Sequence, residues 1–232
     1  MTKYARRRAV VVGEATGIGL AIAKRLVEGG ARVLLAARTE EARALAVTEL
    51  GSAARVVAPS AVEEALAGGT GTDAVARTGT STRTGTRPDT GTRTGTRPDT
   101  ATRTGTGTAP RTDTAVHDRP GPRVDLLFAD AIPSARPLLP YVEDGGAIVL
   151  TSPAPCPDAV RALAAELAAR GIRVNAVAPG CIEAPGSGAV PLPPLGRLGA
   201  AEEVARAALF LATEATFTTG ARLPVDGGLA RP

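Results

Sequence analysis

Residues able to cradle an anion gather early in the 232-residue chain, in Gly13-Glu14-Ala15-Thr16-Gly17-Ile18-Gly19. An apolar run, Ala9 to Val12, leads into this stretch, and a helix-like segment follows in which Ile18, Ile22 and Leu26 share one face. A glycine at a strand end permits a sharp turn. Gly17 and Gly19 let backbone N–H groups approach a pyrophosphate lying at the positive end of the helix dipole. Glycine turns between strands and helices are common, so the spacing alone is a weak signal; the flanking strand and helix supply the context that the motif requires. Gly29-Gly30 stop the helix, and a second strand runs from Arg32 to Ala37. It ends at Arg38, with no Asp or Glu at the tip, where an NAD-selective site sets a carboxylate against the ribose 2′-hydroxyl. The guanidinium fork of Arg38 could pair with a 2′-phosphate, so NADP(H) is expected in preference to NAD(H). The alternative is a solvated arginine at a strand-to-helix junction.

The elements that must position these residues are unevenly spread. Residues 70–123 hold nine arginines and five aspartates with no lysine or glutamate, a net charge of +4 that equals the formal charge of the whole chain. The rest is electrically balanced, so the high pI implies no basic groove on the folded part. With three Phe, two Tyr and no Trp there is no stacking platform for bases, and nucleic-acid binding is not expected. Cys156 and Cys181 lack Cys-x-x-Cys spacing, and the one histidine, His117, lies in the arginine-rich segment, which argues against a metal site. No apolar run is long enough to span a bilayer, and the N-terminus passes straight into the first strand; no membrane partner and a cytoplasmic, reducing location are expected.

Within 70–123 a ten-residue unit, Thr-Arg-Thr-Gly-Thr-Arg-Pro-Asp-Thr-Gly, starts at Thr82, recurs from Thr92 and decays from Thr102. Threonine falls on alternate positions, but Gly, Arg, Pro and Asp lie between, so neither face of a strand could be buried. Lacking apolar area to offset chain entropy, this low-complexity insertion is expected to be disordered. The chain then divides into 1–69 and 124–232, two parts of one domain, around the insertion at 70–123.

With the glycine turn and Arg38 in view, the second half completes a family resemblance. Gly145-Gly146-Ala147-Ile148-Val149-Leu150-Thr151-Ser152 looks like a fifth strand with the start of a serine loop, and Ile172 to Gly180 like a sixth strand with a Pro-Gly turn. Leu195-Gly196-Arg197-Leu198-Gly199, Glu202-Glu203-Val204-Ala205, Thr219-Gly220 and Val225-Asp226-Gly227-Gly228 look like a closing helix and last strand. Together with the front half, these motifs resemble the short-chain dehydrogenase/reductase family over about residues 8–57 and 145–230. The resemblance implies an α/β fold, a Rossmann-like doubly wound parallel sheet, and a carbonyl or alcohol as small-molecule substrate. It implies cofactor contacts from the turn residues Gly13, Thr16, Gly17, Ile18 and Gly19, from Arg38, and from Pro179, Gly180 and Ile182. The residue pattern agrees: Val160, Leu163 and Leu167 form a helical face, and alternating strands and helices imply a parallel sheet covered on both sides.

The family's proton chemistry is not carried over. Members use a tyrosine as proton donor, a lysine four residues later to lower its pKa, and a serine to polarise the carbonyl; Tyr-x-x-x-Lys puts phenol and ammonium on one helical face. This chain has no such pair. Its lysines are Lys3 and Lys24, its tyrosines Tyr4 and Tyr141, and only five residues, three of them proline, separate Ser152 from the helix starting near Asp158. Ser152 is the remaining catalytic candidate, although Thr151-Ser152-Pro153 puts the family serine at Pro153. Tyr141 reads as the cover of a short helix and Cys156 as a bystander without a histidine partner. Asp130, in Ala129-Asp130-Ala131-Ile132 where the family has Asn-Asn-Ala-Gly, reads either as facing a ligand crevice or as a junction carboxylate. Between the fourth and fifth strands residues 131–146 leave room for a short crossover only; the family's long helices there usually build the dimer interface, so the resemblance carries over no oligomeric state, and a homo-oligomer is possible but not supported. Three readings stand: an NADP(H)-dependent oxidoreductase with rerouted proton chemistry, a dinucleotide-binding pseudoenzyme or scaffold, and a domain left marginal by lost buried area.

Overall fold

The computed structural model describes residues 3–13, 17–68, 123–183 and 191–229. Thr16 and the repeat lie outside them. Thirteen elements alternate along the described chain: β1 (Arg8–Val12), α1 (Ile18–Glu28), β2 (Arg32–Ala36), α2 (Glu40–Leu50), β3 (Ala54–Val57), α3 (Val62–Ala67), β4 (Val124–Ala129), α4 (Ile132–Ala135), β5 (Val142–Leu150), α5 (Pro157–Leu167), β6 (Arg173–Pro179), α6 (Ala201–Thr213) and β7 (Arg222–Val225). The seven strands form one sheet in the order β3-β2-β1-β4-β5-β6-β7, every pair parallel. Strands before and after the repeat thus share one sheet, and β1 pairs with β4 directly from Ala9↔Leu126 to Val12↔Ala129. The strand order reverses at the β1–β4 junction, which opens a crevice at the C-terminal strand ends.

The sheet is buried on both faces, and period-two alternation sorts its side chains between two cores. Val11, Val33, Leu35, Phe128, Val149 and Val177 pack with α1, α2 and α6. Their neighbours Val10, Leu34, Leu127, Ile148, Leu150 and Val174 pack on the other side with α3 and α5. In α1 the expected face appears: Ile22 and Leu26 are fully buried, and the helix packs against α6. Thr39 caps α2, its hydroxyl accepting from Ala42 N–H at 3.1 Å, with Glu40 and Glu41 in the first turn complementing the dipole.

The short crossover differs in detail from the sequence reading. β5 begins at Val142, three residues before Gly145, with a register shift against β4 between Val124 and Leu126. The connection is the four-residue α4 followed by a 3₁₀ stretch, Arg136–Tyr141. Arg170 pins it, donating to the carbonyls of Leu139 at 3.0 Å and Val142 and to Asp144 at 2.8 Å. Tyr141 closes the 3₁₀ stretch and packs, half-buried, on the second core.

At the far edge, Asn175 is the one buried polar side chain among the described residues, 1% exposed. Its amide donates to the Thr218 carbonyl at 2.9 Å and its Oδ1 accepts from Ala221 N–H at 3.0 Å, which fixes the entry to β7. Arg173 caps the C-terminal end of α6, donating to the carbonyls of Leu211, Ala212 and Ala215, and burial holds its pKa below the ordinary value. At the other end of α6, Glu203 accepts from the Ala200 N–H at 2.9 Å and from both terminal nitrogens of Arg197 at 2.7 and 2.8 Å. Ala200 has no side-chain oxygen, so this is half of a capping box.

Asn175→Ala removes the partners of two half-buried backbone groups and should cost about 1–3 kcal/mol in urea unfolding; a change within error would show that β7 does not depend on this amide. The Arg197 fork and the Ala200 N–H hold the Glu203 carboxyl down at about 2, from an ordinary 4.5. A depressed folded-state pKa contributes stability above pH 4.5 that is lost as pH falls towards 2. The stability gap between wild type and Glu203→Gln should therefore narrow across that window in an acid-titration melting series, and be flat above it.

Candidate functional site

At the C-terminal strand ends lies a cavity of about 540 Å³ over β1, β4, β5 and β6. Strand alternation selects its walls. Val11 and Phe128 belong to the core on the α1 side, and the residues two further along, Gly13 and Asp130, carry that face beyond the strand tips. From β5 the same parity, starting at Val149, brings Thr151 and then Pro153 into the cavity; from β6, Val177 is followed by Pro179. Gly180 and Ile182 complete that wall.

Of the glycine turn, Gly13 and Gly17 to Gly19 are among the described residues. Gly13 has φ +148° and a Cβ there would lie 3.0 Å from the Asp130 Cβ, so the turn and the β4 tip approach as closely as only glycine allows. Gly17, φ +66°, is the N-terminal cap of α1 and faces open space. It offers no capping side chain, the first turn of this 11-residue helix contains no acidic residue, and Ile18 and Gly19 line the cavity. The positive end of the helix dipole is therefore presented to the crevice.

Arg38 stands on the other side of Gly13. It lines a second cavity of about 200 Å³ with Pro59, Val62 and Glu63, on the face of the sheet that carries α3. Its Nη2 donates to Asp130 Oδ2 at 2.9 Å, an ion pair whose side chains are 58% and 29% exposed. The second oxygen, Asp130 Oδ1, is buried and has no hydrogen-bond partner among the described residues. The Asp130 backbone N–H donates to Val12 O at 3.1 Å, which fixes the carboxylate against the turn.

Among the sequence-derived site residues, Gly13, Ile18, Gly19, Pro179, Gly180 and Ile182 meet in the larger cavity and Arg38 enters the smaller. Thr16 falls outside the described residues. Ser152 is half-buried and is not among the cavity walls. Its parity is opposite to that of Val149, so Thr151 and Pro153 take the positions that face the crevice. Thr151 is the hydroxyl that the sequence reading missed. Its N–H donates to Ala129 O at 2.8 Å and its Oγ1 to the same carbonyl at 3.4 Å. The alternation through Val149 was the available signal. Asp130 faces the crevice and also joins the strand tip to Arg38, which unites its two alternatives.

Tyrosine and lysine are placed elsewhere. Tyr141 precedes the N-terminal end of β5 and Thr151 follows its C-terminal end, so the length of the strand separates them. Tyr4 is buried over Gly29, which has no Cβ to obstruct the ring. Lys3 pairs with Glu214 and Lys24 with Glu49, both on the surface, and those partners raise both amines above their ordinary pKa. Cys156 is exposed at the cap of α5, outside the cavity. Among the described residues no group of His, Cys, Asp and Glu could hold a metal ion, and no helix is long and apolar enough to cross a membrane.

An open, doubly wound parallel sheet with a glycine turn at its switch point defines the Rossmann-like class of α/β proteins. Comparison narrows it. A family model described as short chain dehydrogenase matches residues 7–65, and one described as Enoyl-(Acyl carrier protein) reductase matches 148–230. The galactitol 2-dehydrogenase (L-tagatose-forming) of Cereibacter sphaeroides is 34% identical over 255 residues, 95% of this chain and 93% of that protein. The 3-oxoacyl-acyl-carrier-protein reductase FabG of Thermotoga maritima is 50% identical over 76 residues, 28% of this chain and 31% of that protein. The match thus spans about a third of that relative's length. A solved short-chain dehydrogenase/reductase from Serratia marcescens shares the fold, with TM-score 0.65 at 18% identity over 99% of this chain and 100% of that one. This chain belongs to the short-chain dehydrogenase/reductase family, an oxidoreductase family whose members bind NAD(H) or NADP(H).

The close approach of Gly13 to Asp130 makes a further prediction. Gly13→Ala should cost about 2–3 kcal/mol in urea unfolding, through strained φ and displacement of Asp130, whereas Gly17→Ala, strained but open, should cost about 1–2 kcal/mol. Equal losses would refute the packing of Asp130 against the turn.

Proposed function

We propose that this chain is an NADP(H)-binding oxidoreductase-like protein of the family, taking a small carbonyl or alcohol substrate in the 540 Å³ cavity. One observation carries this reading: the cavity, the uncapped N-terminus of α1 and Arg38 converge on the Gly13 turn at the switch point of the sheet. Gly13, Gly17, Ile18 and Gly19 would hold the pyrophosphate, with Thr16 assigned to the same turn by its place in the motif. Arg38 would take the 2′-phosphate through its guanidinium fork, and Pro179, Gly180 and Ile182 would border the nicotinamide end. The bound cofactor supplies or accepts a hydride. The chain's own contribution is to orient: the α1 dipole fixes the phosphates, Pro153 and Ile182 narrow the cavity, and the Thr151 hydroxyl is the polar group beside a substrate oxygen. Ser152, of opposite parity, supports the strand end. In this reading 70–123 is an insertion into one dinucleotide-binding domain.

A second reading, a dinucleotide-binding pseudoenzyme or scaffold, is favoured by a separate observation: both tyrosines and both lysines lie outside the cavity. A threonine hydroxyl without a neighbouring base is a poor proton donor. General acid catalysis contributes roughly 10²–10⁴-fold, so a hydride transfer that lacked it would be slow by that factor.

Titration of purified full-length protein against NADPH, followed by cofactor fluorescence with NADH and Arg38→Ala as controls, tests the first step. Saturable binding that prefers NADPH, with about tenfold or more lost in Arg38→Ala, is expected; a folded protein that binds neither cofactor overturns both readings. Turnover separates them. Oxidation of galactitol with NADP⁺, or reduction of a 3-oxoacyl thioester with NADPH, supports the oxidoreductase; binding without turnover across such a panel supports the pseudoenzyme.

A further inference from the structure

We infer that Asp130 is a specificity-determining residue for the cofactor: it competes with the ribose 2′-phosphate for Arg38, and so restrains the NADP(H) preference that Arg38 would otherwise give. The inference rests on the proposed dinucleotide site and deepens it.

Arg38 and Asp130 come from opposite faces of the sheet. Arg38 continues the parity of Leu34 and Ala36, which lie in the α3–α5 core, and Asp130 continues that of Leu126 and Phe128, which lie in the α1–α6 core. Their side chains meet over the strand tips at 2.9 Å. Val12 and Gly13 line both cavities, Asp130 only the larger and Arg38 only the smaller, so the pair stands at the boundary between them. A dinucleotide held at the α1 terminus by its pyrophosphate would bring its adenosine ribose towards this boundary. A phosphate on the 2′-oxygen can pair with Arg38 only by displacing a carboxylate already in place.

Displacement is achievable and is not free. The ion pair is half-exposed, of the kind whose net worth is small, and a phosphate carries more charge than a carboxylate and offers the guanidinium more acceptors. The Asp130 backbone N–H is bound to Val12 O and its Cβ lies close to the Gly13 turn, so the released carboxylate stays near the turn whichever way it rotates. Among the described residues its Oδ1 has no hydrogen-bond partner to spread the charge. NADP(H) would therefore bind near a newly unpaired negative charge. NADH, whose ribose carries a hydroxyl at this position, leaves the Arg38–Asp130 pair closed.

Asp130→Asn tests this. The amide oxygen keeps an acceptor for Arg38 while the charge is removed, so Arg38 remains anchored. Dissociation constants for NADPH and NADH are measured by fluorescence for wild type, Asp130→Asn, Arg38→Ala and the double variant, with melting temperatures for each. We expect the NADPH-to-NADH affinity ratio to widen about three- to fivefold in Asp130→Asn, and the widening to vanish when Arg38 is also alanine. An equal gain for both cofactors would show general repulsion of phosphate, and an equal loss with a lowered melting temperature would show a structural carboxylate; either overturns the proposal. If the ratio is unchanged while both cofactors bind, the competition fails and the dinucleotide site stands. If no variant binds either cofactor, the underlying reading fails as well.

Discussion

Burial of a parallel sheet on both faces is the constraint on which the rest of this molecule depends. A strand covered on both sides has no freedom of register, because a slip of one residue would exchange the contents of the two cores. Val10 and Val11, Leu34 and Leu35, Leu127 and Phe128, Ile148 and Val149 are adjacent residues sent to opposite cores. The same alternation, carried one or two residues past the strand tips, decides which side chains can do chemistry. It turns Gly13, Asp130, Thr151 and Pro153 into one crevice, puts Arg38 on the other face, and keeps Ser152 out of the cavity walls.

The crevice inherits its electrostatics from the same arrangement. With all strands parallel, their C-terminal ends share an edge, and α1 starts there with its dipole facing outward. A helix N-terminus favours negative charge by about 0.3–1 kcal/mol when exposed and more when partly buried. Asp130 lies in this positive mouth and is paired with Arg38, so the crevice has a counter-charge of its own. The arrangement differs from the Asn-Asn-Ala-Gly segment that the family has at this point, and it sets an ion pair against the glycine turn.

The shortened centre of the chain shows how an abbreviated crossover is tolerated. A parallel pair needs a connection that returns to the opposite sheet end, and here α4 and a 3₁₀ stretch do so within residues 130–141. The cost is a shift in register between β4 and β5 and carbonyls that no regular helix satisfies. Arg170, reaching across from the end of α5, supplies donors to Leu139 and Val142. This economy places Tyr141 at the opposite end of β5 from the crevice, and with the short loop after β5 it leaves the site without a phenol or an ammonium.

The sequence by itself determined the order of elements, the parallel sheet, the glycine turn and the face of α1, because each rests on local periodicity and on backbone freedom at Gly13 and Gly17. It determined too that no Tyr-x-x-x-Lys pair exists. It did not determine which hydroxyl faces the crevice. Thr151 and Ser152 are neighbours, and only the register of β5 against β4 and β6 assigns one to the cavity. Nor did it pair Arg38 with Asp130, which stand 92 residues apart and meet because β2 and β4 both flank β1. The start of β5 at Val142 was equally a tertiary outcome: the sequence pattern starts this strand at Gly145, and pairing with β4 and the Arg170 contacts extend it back to Val142. Contacts between residues distant in sequence are chosen by packing of the whole sheet, and local pattern has no access to them.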